Sequence, residues 1–123
     1  MIRGIGLDLC DIGRIERAIE KEHFLERVYT PGERERILAA GGVRRGQIAA
    51  GTFAAKEAVA KALGTGFAGF GPDAVEILPD DQGRPTCALY GRARVLAGDA
   101  RVHVTVTHES GFAAATAIVE SGE

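Results

Sequence analysis

Asp8, Glu57, Lys61 and His108 are the residues of this chain whose types and settings could carry chemistry. Glu57 and Lys61 stand four apart in Phe53-Ala54-Ala55-Lys56-Glu57-Ala58-Val59-Ala60-Lys61-Ala62-Leu63-Gly64. Its alanines and Leu63 predict a helix, and Gly64 predicts where that helix stops. At 100° per residue, Lys56, Glu57 and Lys61 share one wedge of about 140°. Ala55, Ala58, Val59 and Ala62 form the opposite side, with side chains small enough for close backbone packing. A helix so poor in polar residues is expected to be buried, and buried charges need partners. A structural Glu57–Lys61 pair at i,i+4 would satisfy the helix alone. A carboxylate and an ammonium held ready for a ligand would satisfy it equally.

The elements around that helix decide what it can meet. Met1 to Leu9 reads as a strand, with Ile5, Leu7 and Leu9 on one face and Gly4, Gly6 and Asp8 on the other. Two glycines beside Asp8 let something approach the backbone closely. Asp8 is either a cap of the next helix or a ligand, and Asp11 is at least as well placed to cap. A helix is expected from Ile12 to Lys21 on the stripe Ile12, Ile15 and Ile19, with Arg14 and Arg17 facing outward. Phe24, Leu25 and Val28 suggest a further helical turn. Thr30-Pro31-Gly32-Glu33 is a capping-box start for a helix ending near Ala40, which gives Glu33 a structural role. Val43 to Gln47, carrying Arg44 and Arg45, reads as a basic connector, and the central helix is expected to begin between Ile48 and Phe53.

Beyond the helix, Gly64-Thr65-Gly66 opens a glycine-rich loop reaching Pro72, a shape suited to a phosphate-bearing ligand. Val75 to Leu78 and Thr86 to Tyr90 read as a hairpin, and Arg92 to Ala97 as a short helix closed by Gly98. Two strands follow, Val102 to Thr107 and Phe112 to Glu120. His108 continues the parity of Val102, Val104 and Val106, so it heads toward an apolar face, as a packed residue or a functional one.

A chain of 123 residues suits one domain over residues 1–123, with enough sequence for a core of its own. The apolar runs are too short to span a bilayer and the N-terminus lacks the apolar core of a secretory signal. A formal net charge of −2 gives no reason to expect nucleic acid. Cys10 and Cys87 lack metal-ligand spacing, and reduced thiols in a cytoplasm are the expectation. No Ser–His–Asp, zinc or nucleoside-triphosphate loop pattern is present. Two separated carboxylates suit Mg²⁺, which needs only one or two of them when phosphate and water supply the rest.

Taken together, the sequence resembles the holo-acyl-carrier-protein synthases, small 4′-phosphopantetheinyl transferases. The resemblance rests on Gly4-Ile5-Gly6-Leu7-Asp8 with Arg14-Ile15, on Phe53-Ala54-Ala55-Lys56-Glu57-Ala58 with Lys61-Ala62-Leu63-Gly64-Thr65-Gly66, and on Val104-Thr105-Val106-Thr107-His108 before Ala113-Ala114-Ala115. It extends over nearly the whole chain, Gly83-Arg84-Pro85 included. It implies an α+β fold, a small antiparallel sheet packed on a central buried helix. It also implies an enzyme of lipid metabolism that moves 4′-phosphopantetheine from coenzyme A to a serine of an apo-acyl carrier protein, releasing adenosine 3′,5′-bisphosphate.

By that resemblance Asp8 and Glu57 hold Mg²⁺, and Lys61 and His108 contact phosphates. Arg44, Arg45 and Gly64-Thr65-Gly66 complete the coenzyme A site, and Arg14 and Arg17 dock the carrier. The general base is Glu57 or a metal-bound water. One departure is Thr52, where an arginine is expected, leaving the 3′-phosphate of coenzyme A to Arg44 or Arg45. A module that binds coenzyme A or a nucleotide without transferase activity is the alternative of another class. A homotrimer with shared active sites is expected too, because the final strand is apolar on both faces: Ala113, Ala115, Ala117 and Val119 on one, Ala114 and Ile118 on the other.

Overall fold

Gly4 and Gly6 determine how the layers of this molecule stack. In the computed structural model, which describes residues 1–122, they lie on strand β1 (Ile2–Asp11) beneath helix α4 (Gly42–Ala62). A Cβ at Gly4 would sit 1.9 Å from the Ala62 carbonyl oxygen, and one at Gly6 would sit 1.8 Å from that of Ala58. The close approach that the sequence foretells is therefore made by the central helix itself, on its alanine face.

β1 is one edge of a three-stranded antiparallel sheet ordered β1-β5-β4, where β4 spans Arg101–Glu109 and β5 spans Phe112–Glu120. Asp8 pairs with Ala115, which pairs on its other side with Val106. Ser110 and Gly111 turn the β4–β5 hairpin with φ of 51° and 82°, the positive pair that a two-residue turn of the favoured twist requires. α4 covers the face carrying Cys10, Ala113, Ala115, Ala117 and Val119, all buried. The opposite face is open: Ile5, Leu7 and Leu9 are 67%, 63% and 64% exposed, and no other described element covers them.

α1 (Ile12–Ala18) and α2 (Glu22–Val28) follow β1, and Ile12, Ile15 and Ile19 are buried as their spacing predicts. α3 (Pro31–Ala39) begins with the expected capping box between Thr30 and Glu33. β2 (Val75–Pro79) and β3 (Pro85–Leu89) form the expected hairpin, and α5 (Gly91–Ala97) ends at Gly98 with φ of 60°. The fold is thus α+β, with a small antiparallel sheet on a central helix of which twelve residues are buried.

β1 runs two residues past the expected Leu9 and α1 stops at Ala18, short of Lys21, but the largest boundary difference is at α4. α4 starts at Gly42, so Val43 to Gln47 is its first turn and not a connector. Cations at a helix N-terminus oppose the helix dipole, and glycines inside a helix cost about 1 kcal/mol each, so local chemistry argues against this turn. Tertiary packing overrides it. A Cβ at Gly46 would lie 2.3 Å from the Glu16 side chain, and one at Gly51 would lie 2.9 Å from Val106. Both glycines are where neighbours press against the helix.

Candidate active site

The three charged residues of the helix motif separate in the structure. Lys56 is fully buried, its Nζ 2.6 Å from Glu33 Oε1, and it donates to the carbonyls of Pro72, at 2.9 Å, and Val75. Glu33 also accepts from the backbone N–H groups of Thr30, at 2.8 Å, and Ile77, at 2.6 Å. Burial pushes the Glu33 carboxyl up and pulls the Lys56 ammonium down, while each charge opposes the shift of the other. Two N–H donors beside the ammonium need an acceptor-only carboxylate, which favours the ionised pair. This pair is structural and ties α3 and α4 to β2.

Lys61 goes to the other flank of the helix. Its Nζ donates to the Leu7 carbonyl at 2.9 Å and to Asp8 Oδ1 at 3.1 Å. Its side chain is half exposed, whereas that of Asp8 is 16% exposed. Lys61 therefore pairs with Asp8 across the layers and not with Glu57 along the helix. Asp11 caps α1, accepting from the Arg14 N–H at 3.1 Å, so Asp8 is not the cap. Burial raises the pKa of Glu57, and the charge of Asp8 raises it further, against the opposing cations Lys61 and Arg14. Two carboxylates close enough for Asp8 to disfavour the charge on Glu57, at a half-open edge, form a donor set that a hard divalent cation fits. Among the described residues no third His, Cys, Asp or Glu joins them, which suits an ion that draws its other ligands from phosphate and water.

A second feature lies on the far flank of α4. A cleft of about 260 Å³ runs between α3, the first half of α4, the β2–β3 hairpin and β4. Arg36, Arg44, Gln47, Thr52 and His108 line it, with Ile48, Leu78, Pro79 and Val106 as apolar wall. His108 shares the parity of Val104 and Val106 as expected, but at the strand's end it is exposed at the cleft and not packed. Arg45 does not reach the cleft. Its guanidinium donates to the carbonyls of Ala40, at 2.7 Å, and Leu38, at 2.9 Å, closing the end of α3. Arg36 stands in the cleft instead. No sequence signal marks it, because only the reversal at Ala40 to Gly42 lays α3 back along α4.

Gly64-Thr65-Gly66 lies past the other end of α4, away from the cleft lining. Gly64 and Gly66 take φ of 88° and 58°, and their N–H groups bond to the carbonyls of Lys61, at 3.0 Å, and Ala60, at 3.1 Å. Two of these three amides therefore cap the helix, so the loop contributes shape where the sequence suggested free donors. Arg14 and Arg17 are exposed on α1, and Arg14 is near enough to act on Glu57.

The acidic group and the cleft belong to opposite flanks of one helix. Thr52 and Glu57 are five residues apart, which directs them about 140° from one another around the axis. Asp8 and Val106 are two strands apart across the sheet, roughly 10 Å. His108 lies two residues beyond Val106, and α4 passes between.

A model of the 4′-phosphopantetheinyl transferase superfamily matches residues 4–117. The chain belongs to that superfamily. Among its relatives, the holo-[acyl-carrier-protein] synthase of Lachnoclostridium phytofermentans is 41% identical over 123 residues, covering 98% of this chain and 97% of that one. The synthase of Methylorubrum populi is 47% identical over 132 residues, covering 98% and 95%. Solved structures agree. A holo-(acyl-carrier-protein) synthase from Bacillus anthracis in complex with CoA (3′,5′-ADP) superposes with a TM-score of 0.85 at 35% identity over 98% of each chain. That of Helicobacter pylori, in complex with coenzyme A, gives 0.82 at 28% identity over 94% of this chain and 99% of the other. The superfamily's fold is thus the one built here around Gly4, Gly6 and α4.

Proposed function

We propose that residues 1–123 act as one holo-acyl-carrier-protein synthase domain. It transfers 4′-phosphopantetheine from coenzyme A to a serine of an apo-acyl carrier protein and releases adenosine 3′,5′-bisphosphate. The observation that carries this reading is the convergence of Asp8, Glu57 and Lys61 at one half-open edge, in a superfamily whose relatives bear that name. The same reading places the enzyme in the cytoplasm, in keeping with the unpaired Cys10 and Cys87.

Asp8 and Glu57 would hold Mg²⁺, which when bound supplies neutralisation of the pyrophosphate charge. The serine oxygen attacks the β-phosphorus, and the bond from that phosphorus to the bridging oxygen breaks. The bridging oxygen leaves with adenosine 3′,5′-bisphosphate. Within the chain Glu57 is the candidate acceptor of the serine proton, the alternative being a water at the same edge. Lys61, half exposed and one turn from Glu57, reaches a pyrophosphate oxygen as a point charge. Arg14 and Arg17 steer an acidic carrier to the same edge.

The cleft with Arg44 and His108 takes the nucleotide end of coenzyme A. It faces away from Asp8 and Glu57 of its own chain, and the sheet face bearing Ile5, Leu7 and Leu9 is uncovered. A closed homotrimer answers both: it covers the apolar face and brings one chain's cleft to its neighbour's carboxylates. The test is direct. Incubation with coenzyme A, Mg²⁺ and an apo-carrier should add one phosphopantetheinyl group to the carrier's mass, and an unchanged mass would overturn the reading in favour of a binding module.

A further inference from the structure

We infer that Arg36 and Arg44 form a two-guanidinium clamp for the 3′-phosphate of coenzyme A, which makes Arg36 the residue by which this enzyme distinguishes coenzyme A from its 3′-dephospho form. The inference rests on the transferase reading above and adds to it a residue that no motif marks.

The cleft receives one guanidinium from each of two elements. Arg36 comes from α3 and Arg44 from the first turn of α4, folded back by the turn at Ala40 to Gly42. Neither has a carboxylate within 4 Å among the described residues. The nearest candidate for Arg36 is Glu33, one turn earlier, and Glu33 is already engaged by Lys56 and by the N–H groups of Thr30 and Ile77. Burial and the neighbouring Arg44 disfavour the charge on Arg36 and Glu33 favours it, yet a guanidinium does not give up its proton in a protein. A partly buried guanidinium beside an exposed one, with Glu33 already engaged elsewhere and no described carboxylate in contact, leaves an electrostatic deficit that an anion relieves.

The shape selects the anion. Ile48 from α4, Leu78 and Pro79 from β2 and Val106 from β4 give the cleft apolar surface on which a purine nucleoside can pack, and Arg36 and Arg44 line the same cleft. A guanidinium pair matches the dianion of a phosphomonoester, each fork meeting two oxygens. The 3′-phosphate is the only phosphomonoester of coenzyme A, its other phosphates being joined in the pyrophosphate that Asp8, Glu57 and Lys61 serve. Of the other residues that might fill the role, His108 lines the same cleft and can add a hydrogen bond to the phosphate, Arg45 is turned to the end of α3 and Thr52 carries no charge.

The experiment compares coenzyme A and 3′-dephospho-coenzyme A as donors, with wild type and Arg36→Gln, at saturating carrier. Arg36→Gln should raise KM for coenzyme A at least about tenfold, the loss of a hydrogen-bonded charge contact. It should leave KM for the dephospho donor within about twofold and kcat unchanged for both. An equal effect on the two donors, or none on either, would overturn the clamp. Calorimetry with adenosine 3′,5′-bisphosphate against adenosine 5′-monophosphate reads the same discrimination without transfer. If wild type fails to modify the carrier while Arg36→Gln still loses the bisphosphate preference, the transferase reading falls and the clamp stands. If transfer proceeds and the preference survives the substitution, the clamp falls alone. Matching melting curves for the two proteins separate either result from misfolding.

Discussion

Lys61 sets its ammonium 3.1 Å from Asp8 Oδ1, on a different element, and makes no ion pair with Glu57 one turn before it on the same helix. The absence of Cβ atoms at Gly4 and Gly6 makes this possible, since it brings the β1 backbone against α4. The consequence is a carboxylate pair attended by the half-exposed Lys61, with Arg14 acting on Glu57 from α1. Asp8→Ala and Glu57→Ala are each expected to reduce transfer at least about a hundredfold, in line with the several kcal/mol a catalytic metal supplies. Glu57→Gln is the sharper probe because it keeps side-chain volume. Transfer at the wild-type rate by Glu57→Gln in limiting Mg²⁺ would refute the metal assignment.

The titration of Glu57 gives an independent reading of the same site. Burial and Asp8 hold its pKa above the ordinary carboxylate value, so in metal-free protein it should ionise later than a surface glutamate as pH rises. Arg14 favours the ionised form, so Arg14→Gln should move the titration to still higher pH. Mg²⁺ should move it down, because a bound cation favours the carboxylate. Side-chain carbon-13 resonances of Glu57 followed with pH would report all three directions, and a titration indifferent to Mg²⁺ would exclude Glu57 as a ligand.

What the sequence made legible was local. The Thr30–Glu33 box, the stripe Ile12, Ile15 and Ile19, and the glycine stops at Gly64 and Gly98 depend on neighbours within a turn, and the structure keeps all of them. Contacts between distant segments were not legible. Lys56 and Lys61 fall in one helical wedge, and only the position of α3 on one side and β1 on the other sends them to Glu33 and Asp8. The first turn of α4 was hidden because Arg44, Arg45, Gly46 and Gly51 disfavour a helix locally, and it forms because Glu16 and Val106 pack against those glycines. Arg36 became visible only when α3 was laid along α4.

The buried Glu33–Lys56 pair should prove a stability determinant and not a catalytic one. Lys56→Met leaves the Glu33 carboxylate buried without its ammonium, at a cost of about 3–5 kcal/mol. The melting temperature should fall by roughly 10 °C or more. Adding Glu33→Gln should recover part of the loss, the non-additivity expected of residues in contact. A strictly additive double mutant would show that the two side chains do not act as a pair.

Arg14 and Arg17 lead away from the carboxylate edge along the exposed side of α1. Arg14→Glu should raise KM for the carrier more than tenfold and leave KM for coenzyme A within about twofold, and Arg17→Glu should act the same way more weakly. Salt should mimic both substitutions, because exposed charges are screened within about 8 Å at physiological ionic strength. Equal changes in the two KM values would move the docking surface elsewhere.

The open face of the sheet predicts assembly. Ile5, Leu7 and Leu9 lie more than 60% exposed beside Ala114, Thr116 and Ile118, a patch that a monomer would leave in water. Light scattering should give three times the chain mass. Leu7→Asp should dissociate the assembly and abolish transfer while leaving each chain folded, because Leu7 faces away from α4. If one chain's cleft serves its neighbour's carboxylates, Asp8→Ala and His108→Ala impair different halves of a shared site. Co-refolded in equal amounts, they should recover activity, since about a quarter of sites in randomly mixed trimers draw Asp8 and His108 from intact partners. A monomer in light scattering ends the trimer proposal. A trimer in which His108→Ala is inactive alone and unrescued by Asp8→Ala keeps the assembly but confines each site to one chain, and would require a single coenzyme A to bridge both flanks of α4.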